Sequence, residues 1–343
     1  MPARMEWSEL VLALLVILAG AELFTNGVEW VGEGLGLSEG AVGSVLAAIG
    51  TALPETLVPI VAILFGHGAG DEIGIGAILG APFMLATLAM FLLGLTVVIF
   101  SGLGRRPSHL EHDPGVLAQD LMYFLVMYAL ALAAGLLHVR AVNVALAAVL
   151  LVGYALYVRR HFAAPGERKL EAEAAGEVKP LYLGLALGRR GRTMPIALSG
   201  TQTLVGLGVI LAGAQIFVAA ITTLGDRMHV SHLAFALLLA PIATELPEAL
   251  NSSVIWARRG KDVLALGNIT GAMVFQSTFP VTIGLLFTDW KLNLVAGVAA
   301  GIALAAAAVL YLTTKVRGQL LGSLLLVQGI FYVGYVVFVL RRI

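Results

Sequence analysis

The chain of 343 residues carries 21 basic and 21 acidic side chains, so its formal net charge is zero, and 59% of its residues are hydrophobic while only 12% are charged. Soluble proteins have about 25% charged residues, because their surface must be wetted. The composition therefore excludes a soluble enzyme, a nucleic-acid-binding protein and a disordered chain, and it predicts an integral membrane protein whose surroundings are a lipid bilayer. The chain has no cysteine, which excludes disulfides and thiolate metal sites.

Ten apolar runs are long enough to cross a bilayer as helices, since each spans about 20 residues or more. Strand-like alternation is absent, so we expect an all-α integral membrane protein with ten transmembrane helices. The runs lie roughly at 8–32, 39–65, 74–100, 116–137, 140–160, 195–224, 232–257, 263–288, 293–313 and 319–340.

A long polar connection divides the ten runs into two blocks of five. We expect a first five-helix repeat over 1–162, a linker over 163–193 and a second five-helix repeat over 194–343. Fifteen of the 21 lysines and arginines fall in segments on the linker's side of the membrane, and six fall on the other side. Basic residues accumulate on the cytoplasmic side, so we expect a multi-pass protein of a prokaryotic inner membrane with a cytoplasmic linker and both termini outside.

The two blocks share sequence at a constant offset. Residues 18–21 read Leu-Ala-Gly-Ala and recur at 211–214, and Thr-x-Leu-Pro-Glu occurs at 51–55 and again at 244–248, both at an offset of 193. A repeat of five spans must enter the membrane in the opposite direction from its copy. Inverted repeats of this kind are typical of secondary transporters, whose substrate site lies near the membrane midplane.

Each repeat has a proline within its second apolar run. Pro54 and Pro247 have no backbone N–H, so the carbonyls of Gly50 and Ala243, four residues earlier, lose their helical partners. Such carbonyls are tolerated in a membrane only where they face protein or a hydrated cavity. We therefore expect helices 2 and 7 to be broken at the midplane, with the freed carbonyls of Gly50 and Ala243 available as ligands.

Carboxylates follow both prolines. Glu55 and Glu248 come directly after them, Glu245 lies one turn before Glu248, and Thr51 and Thr244 precede the two copies' glutamates by four residues. Ionised acids within a membrane span indicate function, and hard oxygen ligands suit Ca²⁺ or Na⁺. The inverted copies would bring these groups together, and protons would compete with cations for the crowded carboxylates.

Further polar residues lie in the eighth run. Asn268, Gln276 and Ser277 are added as candidate ligands, with an interhelical hydrogen bond as the equal alternative for Asn268 and Gln276. Glu22, in the first run, is expected to bond another helix or to relay protons. The histidines lie at span ends or in loops, where we expect solvated side chains; Asp71 and Glu72, also in a loop, could attract cations or be ordinary surface charges.

The paired motifs resemble those of the cation/calcium exchanger superfamily, which includes sodium/calcium and proton/calcium antiporters. The family's G-T-S-x-P-E motif is similar to residues 50–55 and to 243–248, and the resemblance covers both five-helix halves. It implies ten helices, with the second and seventh broken around a central cation site. It also implies that Glu55 and Glu248 bind Ca²⁺ and that Thr51, Thr244 and main-chain carbonyls help to bind Na⁺.

The chain departs from the family pattern at several ligand positions. Ala52 replaces the first motif's serine, and Glu245 stands where a small residue is usual. Pro82 and Met273 occupy positions where the family has carboxamide or acid ligands. Glu245 could replace one of the lost oxygen ligands.

These observations predict an antiporter that exchanges Ca²⁺, or a related divalent cation, for Na⁺ or H⁺ by alternating access. Its partners would be inorganic cations and the bilayer, with no tightly bound cofactor and no nucleic acid. An intramembrane hydrolase is disfavoured because the chain has neither H-E-x-x-H nor G-x-S-x-G. Two alternatives stay open: a cation channel lined by the same acids, and a degenerate homologue that binds a cation without transporting it.

Overall fold

The computed structural model describes residues 2–35, 47–163, 179–189, 194–250 and 255–342, without the side chains of residues 2–6, 47–51, 161–163, Glu248 and Arg317. Within these ranges the chain is helical apart from its connections and one short β ladder. The helices are α1 (Pro2–Gly34), α2 (Ala47–Phe65), α3 (Gly70–Met84), α4 (Met90–Gly102), α5 (Pro114–Leu137), α6 (Arg140–Ala163), α7 (Tyr182–Ala186), α8 (Ile196–Met228), α9 (His232–Thr244), α10 (Leu246–Leu250), α11 (Asp262–Gln276), α12 (Phe279–Phe287), α13 (Leu294–Arg317), α14 (Gly322–Leu325) and α15 (Val327–Leu340).

The ladder pairs β1 (His109–Leu110) with β2 (Leu320–Leu321) in antiparallel register, His109 opposite Leu321. A 3₁₀ turn over His67–Ala69 precedes α3, and a π-helical segment over Leu85–Ala89 joins α3 to α4. The helical segments from the 3₁₀ turn to α4 therefore form one long apolar stretch.

Eight helical stretches in the described part of the chain are long and apolar enough to cross a membrane, as Trp7–Gly34, His67–Gly102, Pro114–Leu137, Arg140–Arg160, Ile196–Met228, Asp262–Phe287, Leu294–Val316 and Gly322–Leu340. They coincide with eight of the ten predicted runs. The second and seventh runs contain the shorter apolar helices Ala52–Phe65 and His232–Thr244. The helical membrane fold is confirmed, while the count of ten crossings stays a prediction.

The two longest helices, α1 and α8, pack antiparallel through small residues spaced seven apart. A methyl group at Gly27 would lie 2.8 Å from the backbone nitrogen of Thr203, and one at Gly206 would lie 2.5 Å from that of Phe24. Only glycine permits backbones to approach so closely. Gly20 and Gly34 on α1 and Gly213 on α8 continue this seven-residue spacing. We call the membrane face where α1 begins the terminal face, and the face where Lys179 lies the linker face.

The two predicted helix breaks have different outcomes. α9 ends at Thr244, Glu245 forms a turn, and α10 begins at Leu246, so the break in the seventh run is present. Pro247 then lies in the first turn of α10, where its missing N–H removes no helical hydrogen bond. At Pro54 the prediction is wrong for the described residues, because α2 continues without interruption from Ala47 to Phe65. A proline removes one donor without forcing the helical dihedral angles to change, and membrane helices tolerate that loss.

A further pair of irregularities lies at equivalent positions of the two halves. The π-helical segment begins at Leu85, and the interruption between α11 and α12 begins after Gln276, which is 191 residues later. The same offset relates Gly76 and Gly80 to Gly267 and Gly271. Single π-helical turns often lie at functional sites, so these irregularities indicate a functional site near the ends of α3 and α11.

Candidate cation site

Glu245 lies at the break between α9 and α10 and is 2% exposed. Gln276, the last residue of α11, donates its Nε2–H to Glu245 Oε1 at 2.6 Å. Two interrupted helices therefore meet through their polar side chains. Of the two roles predicted for Gln276, this is the interhelical hydrogen bond.

Hydroxyl groups surround the two interruptions. Ser277 and Thr278 lie between α11 and α12, are fully buried, and donate to the carbonyl of Val274 at 2.9 and 2.8 Å. Thr244, at the end of α9, donates to the carbonyl of Ala240 at 3.3 Å. Because each hydroxyl uses its proton on its own helix, its oxygen retains lone pairs that could accept a cation.

Glu55 is buried in α2, with 6% of its surface exposed. α2 packs against α9 and α12, which border the two interruptions. The helix that carries Glu55 therefore contacts both broken segments. Ala243 is buried beside Thr244, Gly50 lies in α2, and Asn268 is half-buried on α11.

Two predicted ligands cannot be placed, because the side chains of Thr51 and Glu248 lie outside the described residues. Among the described side chains, no group of three His, Cys, Asp or Glu residues is arranged to hold a metal ion. Glu248 is not one of those described side chains. The set of three carboxylates therefore stays a prediction.

A cavity of about 820 Å³ at the terminal face is lined by α2, α3, α8 and α9. Along α8 it extends from Asp226 to Gln215, a rise of roughly 16 Å at 1.5 Å per residue. Along α2 it reaches Val61, six residues or about 9 Å from Glu55. The cavity thus leads from the terminal face towards the first candidate glutamate.

Two equivalent aspartates lie at the starts of α3 and α11. The sequence predicts a loop at Asp71, whereas this residue lies in the first turn of α3, and sequence reasoning missed Asp262 altogether. Asp262 is 3% exposed and accepts from both terminal nitrogens of Arg106, at 2.9 and 2.7 Å, and from the backbone N–H of Glu111 at 3.0 Å. Asp71 accepts the backbone N–H of Asp289. Each aspartate thus bonds the loop that follows the equivalent helix of the other half. The offset of 191 that relates them was visible in the sequence.

Glu22 has a structural partner in the linker. Its Oε1 lies 2.7 Å from Lys179 Nζ and accepts the Tyr182 hydroxyl. This contact with Glu22 raises the pKa of Lys179. The linker end is also held by Trp30 Nε1, which donates to the carbonyl of Lys179 at 2.8 Å, and by Gln202, whose Oε1 accepts the N–H of Leu183 at 2.7 Å.

Buried carboxylates within a helical membrane bundle, one of them at a helix break, are typical of ion transporters. The sodium/calcium exchanger protein family matches residues 6–162 and 199–341. The chain belongs to that family, which confirms the resemblance and makes it a membrane antiporter of the cation/calcium exchanger type.

Two relatives cover most of the chain. CaxA of Alkalimonas amylolytica is 25% identical over 278 residues, which are 80% of this chain and 79% of the relative. The inner membrane protein YrbG of Escherichia coli strain K12 is 26% identical over 296 residues, 83% of this chain and 80% of the relative.

Solved structures of two exchangers share the fold. The crystal structure of the H⁺/Ca²⁺ exchanger CAX has a TM-score of 0.67 and 16% identity, and covers 96% of this chain and 81% of that one. The sodium-calcium exchanger NCX_Mj, soaked with Na⁺ and Sr²⁺, has a TM-score of 0.55 and 20% identity, and covers 97% of both chains. At these identities the likeness shows the fold alone.

Proposed function

We propose that this protein exchanges Ca²⁺, or a related divalent cation, for Na⁺ or H⁺ across a prokaryotic inner membrane. The observation that carries the proposal is the pairing of buried Glu245, at a helix break, with Gln276, at the interruption of a second helix. Acids at membrane depth are costly and are retained for function. Buried Glu55, on a helix that contacts both interrupted segments, supports the same assignment.

The proposed ligands are oxygen atoms, which suit a cation that takes 6–8 of them. Gln276 occupies one of the roughly four lone-pair sites of the Glu245 carboxylate and orients the group for the cation. Gln276 can also offer its own amide oxygen. The full proposed set comprises Glu55, Glu245, Glu248, Thr51, Thr244, Asn268, Gln276 and Ser277, with the carbonyls of Gly50 and Ala243.

The proposed transport cycle is alternating access. The close backbone contacts between α1 and α8 favour movement of that pair as one unit against the interrupted helices. The distribution of basic residues supports a cytoplasmic linker face and an external terminal face. The cavity at the terminal face would then be the external approach to Glu55.

The test is uptake of ⁴⁵Ca²⁺ into proteoliposomes, driven in turn by an Na⁺ gradient and by a pH gradient. We expect E55Q, E245Q and E248Q each to lose most of the gradient-driven uptake. Glu33, exposed at the end of α1, gives the control E33Q, which should exchange like the wild type. Wild-type exchange in all three site variants would refute the site assignment.

The same vesicles separate the alternative functions. Single-channel currents, or flux too fast for a carrier, would indicate a cation channel. Ca²⁺ binding without any gradient-driven flux would indicate a degenerate homologue. The gradient that drives uptake identifies the counter-ion.

A further inference from the structure

Three titratable side chains from three helices surround the mouth of the terminal-face cavity. Glu72 lies in the first turn of α3, Asp226 near the end of α8, and His232 is the first residue of α9. His232 Nε2 lies 3.1 Å from Asp226 Oδ1, and Nδ1 lies 3.7 Å from Glu72 Oε2. The imidazole is 20% exposed, against 54% for Glu72 and 67% for Asp226, so it is the enclosed centre of the group.

The imidazole has a fitted position against α8. A methyl group at Gly225 would lie 2.5 Å from His232 Cδ2, so any larger residue there would displace the ring. The carbonyl of Thr222 lies 3.3 Å from Nε2, which gives that nitrogen a second acceptor. His232 is therefore not the freely solvated surface histidine that the sequence predicted.

The charge on the His232 ring decides whether the ring attracts the Glu72 carboxylate of α3. In the neutral tautomer with the proton on Nε2, that N–H donates to Asp226 or Thr222, and the lone pair on Nδ1 faces the carboxylate of Glu72. Two acceptors then oppose each other. In the protonated ring both nitrogens donate, so the contact with Glu72 becomes attractive while the contact with Asp226 is kept. Imidazoles ordinarily change charge between pH 5 and 8.

Four other described titratable groups lie near the cavity mouth, outside the group formed by His232, Glu72 and Asp226. His67 lines the same cavity from the turn before α3. Arg227 and His229 belong to the end of α8 and to its connection with α9. Asp71, next to Glu72, accepts the backbone N–H of Asp289. His232 thus lies within 4 Å of a carboxylate of α3 and of a carboxylate of α8.

We propose that His232, Glu72 and Asp226 form a proton-binding site separate from the central cation site, and that proton binding draws α3 and α8 onto α9 and narrows the cavity mouth. α9 begins at His232 and ends beside Glu245, so the contact acts on the helix that carries the candidate cation ligands. Acid at the terminal face would therefore restrict access to the cavity. The inference rests on the proposed function only in taking this cavity as a path to Glu55.

The chain has no cysteine, so access can be measured with single introduced thiols. Ala219→Cys places a thiol on the exposed wall of the cavity, and Leu137→Cys places one on the exposed end of α5 at the same face. Both proteins are reconstituted in nanodiscs and labelled with a charged, membrane-impermeant methanethiosulfonate reagent. The ratio of the two labelling rates cancels the intrinsic pH dependence of thiol chemistry.

We expect this ratio to fall at least about fivefold between pH about 7.5 and about 5.5, the range in which a histidine changes charge. H232Q should abolish the fall, and so should E72Q, which guards against a folding defect in either variant. The control His67→Asn, at another histidine lining the cavity, should keep it. A ratio that does not change with pH, a fall that persists in H232Q, or no labelling of Ala219→Cys at either pH would overturn the proposal.

The labelling does not require transport. A protein that fails to exchange cations and still shows the His232-dependent fall would refute the proposed function and leave the proton site standing. Normal cation exchange without a pH-dependent fall in the labelling ratio would refute the proton site and leave the proposed function standing.

Discussion

The side chain of Gln276 donates to the carboxylate of Glu245 at 2.6 Å, and both groups are buried where their helices are interrupted. This contact fixes the position of one oxygen of the Glu245 carboxylate at the helix break. Its removal should therefore weaken cation binding more than it weakens the fold.

We predict that Gln276→Leu raises the KM for Ca²⁺ about tenfold or more, since a hydrogen bond to a charged group contributes about 1.5–3 kcal/mol. The measurement is initial ⁴⁵Ca²⁺ uptake against Ca²⁺ concentration. The matched control is Gln328→Leu, which changes another fully buried glutamine whose amide bonds the carbonyl of Ala306 in α13. An equal KM in both variants would show that Gln276 has no part in the site.

Arg106 and Asp262 form a buried, two-pronged ion pair at the linker face, each about 3% exposed. Asp262→Asn leaves the guanidinium without its charged partner, which we expect to cost about 3 kcal/mol and to lower the melting temperature. The double variant Arg106→Leu/Asp262→Leu should recover part of that loss, because no single charge is left buried.

The control for this ion pair is Lys291→Ala, which breaks the exposed pair with Asp289 at the opposite face. No measurable change in melting temperature is expected, because solvent screens exposed charges. If Lys291→Ala lowered the melting temperature as much as Asp262→Asn, burial of the ion pair would not explain the loss of stability.

Two glycines on α8 allow a matched test of helix packing. Gly206→Ala would bring a methyl group to 2.5 Å from the backbone nitrogen of Phe24, and the forced separation of α1 and α8 should cost about 1–3 kcal/mol. A methyl group at Gly208 would have no described atom within 4 Å apart from the neighbouring turns of α8, so Gly208→Ala should be neutral or stabilising by up to about 1 kcal/mol. Thermal unfolding in one detergent measures both, and equal stability of the two variants would contradict the proposed rigid pair.

The apolar runs predicted the fold well, because the bilayer sets helix length and a run of hydrophobic residues records it. The spacing between Glu245 and Glu248, one helical turn, predicts Glu245 as a site residue. Its partner Gln276 is 31 residues away, and the sequence left that contact undecided between two roles. The break at Pro54 was predicted wrongly, because the missing N–H of a proline does not by itself decide whether the helix continues.

Contacts between distant segments were the least predictable. Lys179 meets Glu22 across 157 residues, and Arg106 meets Asp262 across 156. Such pairs depend on helix packing, which spacing within one segment does not report. Internal symmetry could have helped, since the offset that aligns Gly76 with Gly267 also aligns Asp71 with Asp262.

The linker end offers a last prediction, because Gln202 holds it to both long helices. Gln202 is 2% exposed; it accepts the N–H of Leu183 and donates to Asn26 Oδ1 at 2.9 Å. Gln202→Leu removes these two bonds and a third, from Nε2 to the carbonyl of Leu23 at 3.0 Å. The N–H of Leu183 and the Asn26 side chain then have fewer partners, so the segment should detach more often. We expect faster tryptic cleavage after Arg189, which is exposed next to this segment. Thr201→Ala, at the exposed neighbouring position, should leave the rate unchanged, and equal cleavage of the two variants would show that Gln202 does not anchor the linker.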